Sequence, residues 1–141
     1  MKKIFSIIAI SVFALSFSQT YVKVTSDKNQ LETVYAGGQQ KFNTDLSDNL
    51  QYTGNTFQVN GDFKLNFNID ENGKISDVKL SPELFDKSFE REVKRDLGRM
   101  KKHFVGNQKQ NVSVGLSFSR DIPDHDGRAF LTSSQSYTNT R

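Results

Sequence analysis

Few residues of this chain have the types and spacing that a catalytic or metal centre requires. The two histidines are His103, at the end of a basic helical stretch, and His125, in the run Pro-Asp-His-Asp-Gly at 123–127. A zinc site needs three or four ligands, and the chain has no cysteine and no third histidine. Asp and Gly are common turn residues, so we interpret the segment around His125 as a polar turn. We expect neither a metal nor a cofactor.

A second candidate is the run Asn68-x-Asp70-x-Asn72-Gly73, which matches the first half of a calcium-binding loop. Such a loop closes with a bidentate Glu at its twelfth position, where this chain has Lys79. The same residues are typical of a tight turn between two strands. No serine lies in a Gly-x-Ser-x-Gly elbow, and Gly37-Gly38 lacks the Gly-Lys-Ser/Thr of a phosphate-binding loop. The sequence therefore predicts no catalytic residues and no enzymatic activity.

The charge balance gives no support for nucleic-acid binding. Without Lys2 and Lys3 in the N-terminal leader, 17 basic residues face 16 acidic ones. Nucleic-acid binding requires a clustered basic surface. Nor does the sequence indicate a small-molecule substrate. Since cysteine is absent, disulfides cannot contribute to stability.

Residues 1–18 have the three parts of a secretory signal peptide. Lys2 and Lys3 precede an apolar run from Ile4 to Phe17, and small residues stand before Gln19. The run is short for a membrane helix and contains three serines. We expect cleavage near Ser18-Gln19, export to the periplasm and no membrane span after cleavage. The alternative is a leader retained as an anchor.

The next segments alternate between helical and extended patterns. Residues 19–36 are an N-terminal extension in which 21–24 could form a short strand. From Gly37 onward, Phe42, Leu46 and Leu50 recur every four residues and predict a helix. The Asn-, Gly- and Thr-rich stretch 49–61 is expected to lead back toward a sheet.

A hairpin follows. Residues 62–70 alternate polar and apolar, the turn Glu71-Asn72-Gly73 comes next, and 74–80 form the partner strand. Pro82 is expected to begin a second helix, capped by Ser81, whose apolar stripe runs from Leu84 to Phe104. Residues 112–118 alternate again, and 120–141 read as a polar, flexible tail. The predicted fold is α+β in the order α-β-β-α-β, with a three-stranded antiparallel sheet packed against helices.

This ordered pattern resembles the C-terminal domain of the TonB family of energy transducers. The hairpin 63–80, the helix around 85–89 and the strand 112–118 match elements of that domain. Upstream, 35–42 and 49–52 resemble the Pro-Gly-Gly…Phe…Asn-x-x-Tyr-Pro segment of Bacteroidetes-type members. The resemblance covers residues 35–119, and the corresponding domain is placed at 37–119. The family's Pro residues before Gly37 and after Tyr52 are here Ala36 and Thr53.

The resemblance implies a protein or peptide partner. In the family, the last strand region receives a short receptor segment, and in a three-stranded sheet one side of the last strand would be open. The residues that the resemblance assigns to partner contact are Asn111, Val112, Ser113, Val114, Gly115, Leu116, Ser117 and Phe118. The expected function is a periplasmic binding module that engages an extended peptide of an envelope or outer-membrane transport protein by strand addition. The alternatives are a structural or self-associating envelope protein, as a homodimer, and a TonB-type transducer if the leader is retained.

Overall fold

The computed structural model describes residues 19–26 and 29–120. The predicted signal peptide, the segment around His125 and the predicted tail beyond Arg120 lie outside the described residues. The elements, in chain order, are β1 (Thr20–Ser26), α1 (Gly38–Phe57), β2 (Gly61–Ile69), β3 (Ile75–Ser81), α2 (Lys87–Arg99), a 3-10 turn (Lys101–His103) and β4 (Gln110–Arg120).

The four strands form one antiparallel sheet in the order β1-β4-β2-β3. The fold is α+β, but the expected three-stranded sheet and the order α-β-β-α-β are wrong, because residues 20–26 form a full strand at the edge. Within β1 only Val22 and Val24 are apolar residues facing the core, and the flanking core-facing positions are Thr20 and Ser26. A strand with so few apolar residues gives a weak periodic signal, and its place in the sheet depends on partners distant in sequence.

The alternation predicted for the other strands is confirmed. Every second residue of β2 and β4 is buried, and these side chains meet the apolar stripes of both helices. Phe42 and Leu46 of α1 and Val93 and Leu97 of α2 have no exposed surface. Burial of each such side chain stabilises the fold by about 1.5–3 kcal/mol. The sheet face opposite the helices, here called the open face, carries polar side chains such as Lys64 and Asn66.

Helix α1 extends beyond its predicted end. The sequence indicated an irregular segment after Asn49, whereas the helix continues to Phe57 and ends with Gln58 at a left-handed φ of 50°. Thr53 and Gly54 are buried in this last part. Its helical conformation is supported by tertiary contacts that outweigh the weak helix propensity of Asn, Thr and Gly.

Helix α2 begins later than predicted, at Lys87. Asp86 is its N-cap, and the Asp86 carboxylate accepts a hydrogen bond from the Ser88 amide at 2.8 Å. The predicted first turn around Pro82 is instead a loop in which Phe85 is fully exposed. Phe89 begins the buried stripe, in contact with Phe118 at a ring-centroid distance of 5.5 Å.

The hairpin of β2 and β3 is confirmed. Its turn is held by the Asp70 carboxylate, which accepts hydrogen bonds from the amides of Asn72 and Lys74, both at 2.8 Å. Gly73 has a φ of 77°, a conformation that favours glycine. A Cβ on Gly73 would lie 2.7 Å from the carbonyl oxygen of Phe104, so the turn packs directly against the backbone of the segment after α2.

One carboxylate is buried between the two helices. Asp96 of α2 is 1 % exposed; it accepts a hydrogen bond from the Thr53 hydroxyl at 2.5 Å and pairs with Arg99 at 2.9 Å. Burial raises the pKa of Asp96, and the Thr53 hydrogen bond and the Arg99 charge oppose that rise. The folded state therefore favours the protonated form of Asp96 more than the unfolded chain does.

The raised pKa of Asp96 predicts how the free energy of unfolding depends on pH. The contribution of Asp96 to stability is fully present below its unfolded pKa of 3.8 and is lost as the pH rises through the raised folded value. Asp96→Asn has no charge at this position at any pH. Its free energy of unfolding, measured relative to that of the wild type, should therefore be higher at neutral pH than at about pH 4. Urea unfolding at both pH values measures this difference. Asp62→Asn, on the open face, is the control; a difference for Asp96→Asn that does not change with pH contradicts the prediction.

Candidate strand-binding slot

All eight residues predicted to contact a partner lie on β4, which is an inner strand of the sheet. Its neighbours are β2 on one side and β1 on the other, with Ser117 opposite Lys23 and Gly115 opposite Thr25. The expectation that one long side of β4 is open is therefore wrong for this structure, because the chain's own first strand covers it. The side chains at 112, 114, 116 and 118 face the core, and those at 113 and 117, with Gly115 between them, are on the open face.

The pairing shows which backbone groups of β4 face β1. In an antiparallel strand, the N–H and C=O of one residue point to the same side and alternate along the chain. The amide of Ser113 donates to the side-chain oxygen of Gln30 at 3.3 Å, on the β1 side. The backbone N–H and C=O groups of the odd-numbered residues of β4 thus point toward β1. Since β1 pairs with Val114–Arg120, Asn111 and Val112 lie beyond its end.

The outer edge of β1 would expose unpaired backbone groups if α1 did not cover it. Ser47 donates its hydroxyl to the carbonyl oxygen of Val22 at 2.7 Å, and the Gln51 side-chain amide donates to the carbonyl oxygen of Thr20. The side-chain oxygen of Asn55 accepts the amide of Thr20 at 2.8 Å. Backbone groups of β1 are therefore bonded by side chains of a helix where a neighbouring strand would normally bond them.

The same arrangement continues to the other end of β1. The Gln39 side-chain amide donates to the carbonyl oxygen of Ser26 at 3.0 Å, and the Ser26 hydroxyl donates to Asn43 at 2.8 Å. The residues of α1 that bond β1 thus recur every four positions and are here called the polar stripe: Gln39, Asn43, Ser47, Gln51 and Asn55.

The geometry of the two elements explains this match. Four residues of an α-helix advance about 6 Å along its axis. Two residues of a strand advance about 6.7 Å. Since the outward-pointing backbone groups of β1 recur every second residue, the polar stripe stays beside β1 along its length and bonds the backbone of Thr20, Val22 and Ser26. We call the space between the polar stripe and β4 the slot; β1 fills it.

The N-terminal end of the slot is narrow. Thr20 is completely buried, and its hydroxyl donates to the carbonyl oxygen of Gly54 at 3.3 Å. A Cβ on Gly54 would lie 3.1 Å from the Thr20 methyl group and 3.2 Å from the ring of Phe118. The absence of a side chain at Gly54 therefore makes the room that Thr20 occupies.

Sequence reasoning missed the polar stripe, although a signal for it was present. Its five residues are polar and hydrogen-bonding, and they recur at the same interval as Phe42, Leu46 and Leu50 beside them. A second stripe with the period of the helix indicates a second packing partner. What the sequence did not indicate is that this partner is the backbone of a strand.

Tyr35, Lys41 and Asp45 form a cluster of ionisable groups outside the slot. The Tyr35 hydroxyl donates to Asp45 at 2.6 Å, and Lys41 pairs with the same carboxylate at 2.9 Å. Burial raises the pKa of Tyr35, and the hydrogen bond from Tyr35 lowers the pKa of Asp45. This cluster links the segment before α1 to the helix. Asp70, from the calcium-loop pattern, accepts backbone hydrogen bonds in the hairpin turn.

The part of the chain that the structure describes contains neither a metal-binding cluster nor a membrane-spanning helix. Within residues 19–26 and 29–120, no group of three or more His, Cys, Asp or Glu side chains is arranged to hold a metal ion. No helix in the same ranges has the length and apolar character needed to span a membrane. Comparison of the chain with protein-family models, with curated proteins and with solved structures finds no match.

Proposed function

We propose that this chain is a non-enzymatic binding module of the bacterial envelope that engages an extended peptide by strand addition. The partner segment pairs with β4 in the slot, at the residues named from the sequence, and takes the place of β1. The single observation that carries the proposal is the way β1 is held: an extended segment lies between β4 and a helix whose side chains bond its backbone.

This mode of binding suits a partner from another polypeptide. Most polar contacts to β1 are made to its main chain, which any extended segment presents. The slot is also assembled from distant parts of the chain, α1 and β4, rather than from the neighbours of β1 in the sequence. An incoming segment can therefore use the same hydrogen bonds.

A partner must compete with β1. A segment tethered by a short linker competes at an effective concentration of about millimolar. A partner succeeds if it makes contacts that β1 lacks, and β4 offers one: the backbone of Asn111 lies beyond the end of β1 and, by the alternation along β4, faces the β1 side. Since Ser26 lies opposite Val114, a segment three residues longer than β1 would reach Asn111 as well.

The leader and the resemblance to the TonB C-terminal domain support an envelope location and an envelope partner. An exported module with this pairing mode would meet periplasmic segments of outer-membrane transport proteins. Residues 35–119, which carry the resemblance, include all of α1 and all of β4 except its last residue, and these are the two sides of the slot.

The test is binding of a peptide in trans after β1 has been weakened. By the alternation of the strand, Lys23 directs its amide to β4 opposite Ser117, and its side chain is exposed. Lys23→Pro removes that amide and should release β1 from β4 without changing a core side chain. A fluorescent peptide of residues 19–26 should bind this variant at least about tenfold more tightly than the wild type, in which tethered β1 competes. Fluorescence anisotropy measures the affinity.

Lys23→Ala is the matched control, because it loses the same side chain and retains the amide. It should bind the peptide as weakly as the wild type. Circular dichroism establishes that Lys23→Pro is folded. A folded Lys23→Pro protein that does not bind the peptide contradicts the proposed function. A wild-type dimer that forms with increasing concentration and excludes the peptide supports the self-associating alternative.

A further inference from the structure

We infer that the slot is selective, and that it accepts extended segments with small hydroxyl or β-branched residues at alternate positions, in the pattern Thr-x-Val-x-Val-small-Ser. This inference rests on the proposed function and names the chemical class of its ligand. The positions of β1 differ in how tightly the slot encloses their side chains.

The first position accepts a small side chain. Thr20 lies against Gly54, beside which the Phe118 ring also packs, and the hydroxyl and amide of Thr20 are both bonded, to Gly54 and Asn55 respectively. The side chain at this position is completely enclosed. A Phe or Lys there would have to displace the Phe118 ring or the backbone of α1, and overpacking of this kind is unfavourable.

The third and fifth positions accept apolar residues. Val24 is 8 % exposed and belongs to the core, and Val22 packs against the core from the rim. A charged or amide side chain at either position would lose its hydration without a partner within the core. β-branched residues also suit the extended backbone that pairing with β4 requires.

The sixth and seventh positions are restricted from two sides. On the open face, the Thr25 hydroxyl lies so close to Gly115 that a Cβ there would be 2.8 Å from it. At the end of the slot, the Ser26 hydroxyl donates to Asn43, and Gln39 bonds the Ser26 carbonyl. A small residue at the sixth position and a hydroxyl at the seventh therefore fit best.

The second and fourth positions are open. Their side chains in β1, Tyr21 and Lys23, are exposed on the open face. The slot thus selects mainly by the side chains that alternate toward the helices, and on the open face it tolerates variation at the second and fourth positions.

The test compares three peptides on the Lys23→Pro chain. The first has the order Thr-Tyr-Val-Lys-Val-Thr-Ser, as in β1. The second replaces the first Thr by Phe. The third has the same composition in the order Val-Val-Tyr-Lys-Thr-Thr-Ser, which directs Tyr or Lys toward the core in either register. We expect the second and third to bind at least about tenfold more weakly than the first. Equal binding of all three overturns the selectivity and leaves the proposed function intact, whereas failure of all three with a folded protein overturns both.

A second measurement does not require the Lys23→Pro variant to fold. In the otherwise unchanged chain, Thr20→Phe should lower the midpoint of urea unfolding, because the slot rejects an aromatic residue at its first position. Lys23→Phe introduces the same side chain on the open face and is the matched control; its midpoint should stay close to that of the wild type. A Thr20→Phe midpoint equal to that of Lys23→Phe overturns the inferred pattern.

Discussion

Replacing Phe42 by alanine is expected to lower the free energy of unfolding by about 3–5 kcal/mol. Phe42 is completely buried, and its ring lies 5.2 Å from that of Tyr35, 6.0 Å from that of Phe104 and 6.2 Å from that of Phe67, measured between centroids. The substitution removes a side chain that joins α1, β2 and the segment after α2. The surrounding rings belong to three separate parts of the chain and cannot all move into the space, so a cavity remains.

Phe85→Ala is the matched control, since it makes the same chemical change on a fully exposed side chain. Its effect should stay within about 0.5 kcal/mol. Urea unfolding followed by circular dichroism measures both variants. Equal losses of stability for the two variants would contradict the assignment of Phe42 to the core and of Phe85 to an exposed loop before α2.

The second large effect is expected at Gly106, where the substitution Gly106→Ala should lower the free energy of unfolding by about 1–3 kcal/mol. An added Cβ would contact the carbonyl oxygen of Glu71 and lie 2.7 Å from the Cα of Asn72. Both atoms belong to the backbone of the hairpin turn, so no side-chain rotation relieves the contact. The turn and the segment after α2 would have to separate.

Gly98→Ala provides a control of opposite sign. Gly98 lies within α2, and a Cβ there meets nothing within 4 Å. Alanine is the better helix former by about 1 kcal/mol, so this variant should be more stable than the wild type. Thermal unfolding of both variants measures the pair. If Gly106→Ala gained stability as Gly98→Ala does, the close packing of the turn against residues 104–106 would be disproved.

The parts of the fold that the sequence predicted are those whose signal is local. The hairpin has strict alternation on both sides of an Asn-Gly turn, and the helical stripes of α1 and α2 repeat over several turns. Such patterns reflect burial of one face, which the periodicity of the element alone determines. The mistaken start of α2 has a similarly local reason: Pro82 and Asp86 are both acceptable near a helix start, and the structure uses Asp86 as the cap.

The parts that could not be predicted depend on residues distant in sequence. The last turns of α1 contain Asn, Thr and Gly, which are weak helix formers, yet Gln51 and Asn55 bond β1 and Thr53 bonds Asp96. β1 in turn has little apolar content and depends on α1 and β4 for its hydrogen bonds. Each element is stable because the other is present, so neither shows a complete signal by itself. The candidate site, which is the space between them, was therefore located only in part.

The polar stripe has a consequence for the lengths that these two elements can take. Inserting one residue into the middle of α1 would rotate all later stripe residues by about 100° around the helix axis, away from β1. Inserting one residue into β1 would turn its core-facing side chains to solvent. Only paired changes, about four residues in the helix for two in the strand, would preserve the alignment. Homologues that retain this arrangement should therefore differ in α1 and β1 by substitutions, and accommodate insertions and deletions in the loops.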